Sequence, residues 1–179
     1  MAKVVTGKVR FSYVHVFKPW AGAEGQEPKY SVCVLIPKSD KKTLEKIQKA
    51  IEEAKQEGKE VWGGKIPAKI STPLRDGDEE RPDQPEFRGH YFFNANSKYK
   101  PGLVDKNLDP ILDESEFYSG CYGRVSVNFY PYNVSGNRGI AAGLNNIQKL
   151  ADGEPLGGRT RPEDDFNVWE DDEEDDLLE

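Results

Sequence analysis

The chain has 179 residues, 32% of them charged and 11% aromatic, with a formal net charge of −7, which fits one domain with extensions. No run approaches the ~20 apolar residues of a membrane-spanning helix, and the opening "MAKVVTGKVR" lacks an apolar signal region, so a membrane or secreted protein is not expected and a cytoplasmic one is. The charge is uneven: 11 of the 32 acids fall within 163–179, where no Lys or Arg stands, and the other 162 residues carry 21 acids against all 25 bases, a net of +4.

In chain order, "VVTGKVRFSYVHVF" alternates and predicts a strand. Val9, Phe11 and Tyr13 form its buried face, Lys8, Arg10 and Ser12 the other, and His15 continues the buried face as a satisfied histidine. "KPWAGAEGQEPKY" is rich in Gly and Pro and predicts a loop. "YSVCVLIPK" predicts a strand buried on both faces and ended by Pro37. Cys33 here and Cys121 further on sit in apolar, strand-like runs, as free core thiols in a reducing compartment would.

One amphipathic helix is predicted over about 40–57. Ser39 or Asp40 caps it, Leu44, Ile47, Ile51 and Ala54 recur at helical spacing, and Gly58 ends it. From Gly58 to Gly89 four prolines and the run "DGDEE" predict a long irregular segment, functional or mobile. "GHYFFNANSKYKPGLVD" reads as a strand and a turn. "CYGRVSVNFYPYNV" is the clearest strand: Val125, Val127 and Phe129 face the core, Tyr122, Arg124, Asn128, Tyr130 and Tyr132 face away, and Pro131 is expected to bend or end the pairing. "GIAAGLNNIQKL" is expected to begin as a last strand and finish as a short turn of helix. Five strands, one interposed helix and long loops predict a mainly β protein with an oligonucleotide-binding (OB) fold-like five-stranded antiparallel barrel. Residues 1–150 form that domain, 151–162 a flexible linker and 163–179 a disordered acidic tail.

Catalytic and metal patterns are weak. His15 and His90 stand in no triad context, and no CxxC or HxxxH spacing supports a metal site. In "DKNLDPILDESE", Asp105, Asn107, Asp109, Asp113 and Glu116 match five ligand positions of a calcium loop. The sixth position, which must turn sharply, is Pro110 instead of Gly, so an exposed acidic loop is expected instead. A metal-dependent nuclease or recombination enzyme using Asp105, Asp109 and Asp113 is the second reading, and an acidic mimic of DNA a third, opposed by the +4 body. No metal, cofactor or catalysis is expected.

What recurs is the interleaving of bases and rings in "GKVRFSY", "FKPW", "NSKYKPG", "CYGR" and "NFYPYNVSGNR". Single-stranded nucleic acid needs cations for its phosphates and flat rings for its unpaired bases, each stacked base contributing ~1–3 kcal/mol. No helix is basic enough to enter a major groove. The expected DNA-binding residues are Lys8, Arg10, Lys18, Trp20, Lys98, Tyr99, Lys100, Tyr122, Arg124, Tyr130, Tyr132 and Arg138. Phe11, Phe92 and Phe129 are expected in the core.

The segment "FNVWEDDEEDDLLE" puts eight acids in its last ten residues. A tethered polyanion competes with nucleic acid for a cationic groove at an effective concentration of about millimolar. Phe166, Trp169, Asp171, Asp172, Glu173, Glu174, Asp175, Asp176, Leu177 and Leu178 are the expected partner-binding part of this tail.

"RFSYVHVF", "YSVCVLIPKSD", "KPGLVD" and above all "FYSGCYGRVSVNFYPYN…GNRGIAAGLNNIQKLADGEPLGG" resemble the Enc34-type single-stranded-DNA-binding proteins of phages and prophages over roughly residues 5–160. The resemblance implies an OB fold, binding of single-stranded DNA without sequence preference, and a role in phage DNA replication, recombination or repair in the host-cell cytoplasm. It implies phage replication or recombination proteins as partners of the tail, no membrane partner, and leaves a homo-oligomer open. Bacterial tails of this kind finish on Pro-Phe, whereas this sequence reads Leu177-Leu178-Glu179.

Overall fold

The computed structural model describes residues 2–21, 24–156 and 166–169. In chain order the elements are β1 (Ala2–Val5), β2 (Val9–Trp20), β3 (Lys29–Pro37), α1 (Lys41–Glu57), β4 (Arg75–Asp76), α2 (Gly77–Glu80), β5 (His90–Ser97), β6 (Gly102–Val104), β7 (Tyr122–Val134) and β8 (Asn137–Ala151). Five long strands close on themselves: β2 pairs β3, β3 pairs β5, β5 pairs β8, β8 pairs β7, and β7 returns to β2. This is the OB-like architecture, with the helix between the second and third ring strands. It is a ring of strands, not a regular barrel, and it is not antiparallel throughout. β5 and β8 run parallel through Ala95↔Ala142 and Asn96↔Gly143. The chain reaches β8 only after crossing through β6 and β7, and such a crossover is what a parallel pair requires.

The predicted first strand is two. Gly7 breaks it where the chain passes the start of α1: its N–H donates to Thr43 Oγ1 at 2.9 Å, and a Cβ there would stand 2.9 Å from Asp40 Oδ2. A second correction concerns the faces of β2. Val9 and Phe11 are buried as expected, but Tyr13 has φ +47° and is 51% exposed. The β2–β3 register shifts between Ser12 and His15. One extra residue in a strand swaps the faces of everything after it. Val14 and Val16 therefore pack inward, and His15 lies outside with Ser12, not on the Phe11 face.

Elsewhere the alternation holds. Val125, Val127 and Phe129 fill the ring with Val32, Val34, Ile36, Phe93, Ala95, Ala142 and Leu144. Pro131 does not end the pairing, which runs on through Pro131↔Ile140 to Val134↔Asn137, since a proline withholds only its own N–H from the ladder. Nor does β8 finish as a turn of helix; it stays a strand to Ala151. Asp40 caps α1 by accepting from Thr43 N at 3.2 Å and Thr43 Oγ1 at 2.7 Å, and Leu44, Ile47, Ala50, Ile51 and Ala54 are buried. Gly58 ends the helix at an ordinary φ of −72°. Glycine is needed there for space, since a Cβ would stand 2.8 Å from both Pro131 Cβ and the Trp62 ring.

Residues 58–89 are not a free loop. Trp62 is buried and donates from Nε1 to the Tyr132 carbonyl at 2.9 Å. Ile70 and Leu74 pack on the core. Phe87 makes a second small core with Cys33, Leu35 and Phe92 on the outside of β3 and β5. Trp62, Ile70, Leu74 and Phe87 thus tie the segment to the ring's outer wall, while Val61 and Ile66 stay exposed. Both cysteines are buried free thiols, and burial pushes Cys33 up to about 12.

Candidate nucleic-acid interface

Successive residues of a strand face opposite sides of the sheet, so the partners of the core residues point outward. They align across the ring. His15 pairs with Ser31, Ser31 with Asn96, Asn96 with Gly143, Gly143 with Asn128, and Asn128 with Lys3. Six positions on neighbouring strands, at ~4.8 Å per step, make a row about 24 Å long. His15, Ser31, Asn96, Gly143 and Asn128 are half-buried and Lys3 is exposed. Burial holds the His15 imidazole below the usual histidine value. Small amide and hydroxyl groups dominate the middle of this row, where donors and acceptors stand ready without a fixed charge. Asn128 Nδ2 reaches the neighbouring Asn145 Oδ1 at 3.4 Å.

The β2 end of the row carries rings and cations. Trp20 is 54% exposed and lies flat on His15, with centroids 4.8 Å apart and 8° between planes. Trp20 pairs with Lys29 across the ladder. Beside them is an open recess of about 430 Å³ lined by Trp20, Gln26, Glu27, Lys29 and Ser31. Lys98 meets Glu27 at 3.8 Å, Lys100 lies 5.9 Å from the Phe17 ring centroid, and Lys18 and Tyr99 are exposed. Thus Lys18, Trp20, Lys98, Tyr99 and Lys100, predicted from separate stretches, fall at one margin. Further along β3 and β5 the outer face is roofed: Phe87 packs edge-on against Phe92 at 4.9 Å, with the Arg81 guanidinium over both rings at 5.9 and 5.8 Å.

Tyr130 also belongs to the row. A Cβ on Gly143 would meet its Cε1 at 3.4 Å, so the ring leans over the glycine. Tyr132 stands further towards the β7–β8 hairpin, its hydroxyl 2.7 Å from where a Gly139 Cβ would be. Arg138 is exposed in that hairpin. Arg124 is exposed, and its Nε donates to the Thr6 carbonyl at 3.1 Å. This fixes the guanidinium at the mouth of a cleft of about 160 Å³ between β1, β6 and the β7–β8 pair.

Three predicted residues gather elsewhere. Lys8 Nζ and the Arg10 guanidinium lie 5.3 and 5.4 Å from the Tyr122 ring centroid. Arg10 donates to the Gly120 carbonyl at 3.2 Å and the Glu154 carbonyl at 2.9 Å. The Tyr118 hydroxyl donates to the Gly153 carbonyl at 3.0 Å, and Leu156 N to the Ser119 carbonyl at 2.9 Å. Arg10 and Tyr122 therefore help to fasten residues 152–156 to the ring, within the stretch that sequence read as linker. The remainder of that linker, 157–162, and the tail residues Asp171, Asp172, Glu173, Glu174, Asp175, Asp176, Leu177 and Leu178 lie outside the described residues. Phe166 and Trp169 are exposed.

The acidic loop is held by its own backbone. Asp105 Oδ1 accepts from Asn107 N at 2.8 Å and Asp109 N at 3.0 Å. Asp113 Oδ1 accepts from Ser115 N at 2.8 Å and Ser115 Oγ at 2.7 Å, and these bonds hold its carboxyl below the usual value. Among the described residues, no three His, Cys, Asp or Glu side chains are grouped to hold a metal ion. The alignment of Lys3, His15, Ser31, Asn96 and Asn128 exists only in the register between strands, so their own sequence neighbourhoods carry no sign of it.

The family described as "Enterobacter phage Enc34, ssDNA-binding protein" matches residues 2–178. Putative protein p50 of Acyrthosiphon pisum secondary endosymbiont phage 1 is 32% identical over 187 aligned positions that cover 98% of each chain. Among solved structures, the single-stranded DNA-binding protein of bacteriophage Enc34 in complex with ssDNA superposes with a TM-score of 0.77 at 29% identity, covering 87% of this chain and 90% of that one. The gp2.5 single-stranded DNA-binding protein of bacteriophage T7 is similar in fold, with a TM-score of 0.63 at 16% identity, covering 93% and 95%.

Proposed function

Because this chain belongs to the family of single-stranded-DNA-binding proteins typified by that of Enterobacter phage Enc34, we propose that the row from His15 to Lys3 is the path of an unpaired strand. The protein is a phage-type single-stranded-DNA-binding protein. The observation that supports this path is the alignment His15–Ser31–Asn96–Gly143–Asn128–Lys3 with the Trp20–His15 stack at one end. Phosphates are met by the marginal cations Lys18, Lys29, Lys98 and Lys100, and by Lys3 and Arg124 at the far end. Bases stack on Trp20 and Tyr130, and any base has a face to offer, so binding is independent of sequence. The row's amides can both donate and accept, which fits the same lack of preference.

In this reading the protein carries out no chemistry. It coats exposed strands in the host cytoplasm during phage replication, recombination or repair. The acids from Glu163 onwards compete with DNA for the cationic margin and, once displaced, are available to partner proteins. Binding curves for oligo-dT and for duplex DNA over a salt series test the function. Tight oligo-dT binding with a linear, negative log K–log salt slope is expected, and equal affinity for duplex would overturn it.

A further inference from the structure

We propose that Tyr13 is a further base-stacking platform, the place where the strand leaves the row at its β2 end; the inference rests on the path assigned above. Tyr13 precedes His15 by two residues on β2, which keeps their Cα atoms within about 7 Å of each other.

Three observations meet in this side chain. Its backbone stands at φ +47°, an outlier for a bulky aromatic. It falls inside the bulge, where the step from Ser12 to His15 on β2 is matched by the shorter step from Cys33 to Ser31 on β3; a bulge residue with positive φ is ordinarily glycine, and bulges re-aim side chains next to sites. The ring also stays 51% exposed. The hydroxyl reaches Gln84 Oε1 at 3.4 Å, long for a bond between two oxygens and too weak to account for the strained backbone. Strain of this kind gathers at ligand clamps.

The roof sets the route. Gln84 belongs to the turn that leads into Phe87, and Phe87 packs on Cys33, Leu35 and Phe92 on the outer side of β3 and β5. A strand running along the row past Ser31 finds the sheet closed in that direction. The exposed rings left to it on β2 are Tyr13 and Trp20, which flank His15 along the chain. A phenol ring takes any base on its face, so the platform adds affinity without sequence preference.

Tyr13→Asn removes the ring and installs a residue that tolerates positive φ, whereas Tyr13→Phe keeps the ring and removes the hydroxyl. Binding to oligo-dT, oligo-dC and oligo-dA of equal length should weaken about tenfold in Tyr13→Asn, alike on all three, and stay within about twofold in Tyr13→Phe. In the unaltered protein, iodouracil-substituted oligo-dT should crosslink to Tyr13 on illumination, a readout that does not depend on how either variant folds. Unchanged binding by Tyr13→Asn, an equal loss in Tyr13→Phe, or crosslinks that spare Tyr13 would overturn the platform. Trp20→Ala, measured alongside, separates the two readings. If it weakens binding while Tyr13→Asn does not, only the platform fails; if neither changes anything, the path itself is wrong.

Discussion

His15 and Trp20 lie face to face, 4.8 Å apart and 8° from coplanar, on the outer side of a strand whose earlier half points the same alternation inward. The imidazole covers one face of the indole, and Trp20 is still 54% exposed.

Trp20→Ala should weaken oligo-dT binding by about tenfold, the lower part of the ~1–3 kcal/mol that a stacked base contributes. His15→Ala should cost less, since it only loosens the indole. Quenching of tryptophan fluorescence on titration with oligo-dT should shrink in Trp20→Phe. Unchanged quenching would move the strand away from this end of the row.

Arg10 behaves as a strut. Its bonds to the Gly120 and Glu154 carbonyls join β2 to the segment after β8. Arg10→Ala should lower stability by about 1 kcal/mol, a fall in Tm of roughly 2–4 °C for a chain this long, and leave oligo-dT affinity within about twofold. A large loss of affinity with unchanged Tm would return Arg10 to the DNA.

Removing residues 163–179 takes away eleven acids. Affinity for oligo-dT should rise at low salt and duplex binding should appear, both differences shrinking by 0.5 M salt as screening sets in. A truncated protein that binds no better at 50 mM salt would refute the competition.

The His15 imidazole is held below its ordinary 6.5 by burial. Its folded value lies under the unfolded one, so the unfolded chain binds the extra proton first. The associated stability is present in full above pH 6.5 and is lost as pH falls through the lower folded value. His15→Gln should flatten the decline of Tm just below pH 6.5, which scanning calorimetry across pH 5–8 would read. An unaltered pH profile would place the titrating group elsewhere.

Much of this molecule is written locally. The faces of β7 follow from the spacing of Val125, Val127 and Phe129, and α1 from its cap and its apolar stripe. Tyr13 is different: nothing in "RFSYVHVF" marks a bulge, because the extra residue is defined by what β3 offers opposite it. Arg10 and Tyr122 show the same limit. A cation next to a ring in sequence looks alike whether it meets a phosphate or a carbonyl 144 positions away. The row itself is wholly a product of register, so its members Ser31, Asn96 and Asn128 carry no mark in their own neighbourhoods. Residues 58–89 carry no periodic pattern: Trp62 and Phe87 stand singly in the sequence, and their partners include the Tyr132 carbonyl for one and Cys33 and Leu35 for the other.

The two seams that close the ring, β2 to β7 and β5 to β8, both wait for the last hairpin. A chain emerging from the ribosome therefore displays an open, curled β2–β3–β5 sheet, its apolar side uncovered, until residue 151 is made. Folding must then complete in one late, non-local step, the kind that is slow and exposed to aggregation. Temperature-sensitive yield should consequently map to β7 and β8 more than to the strands synthesised first.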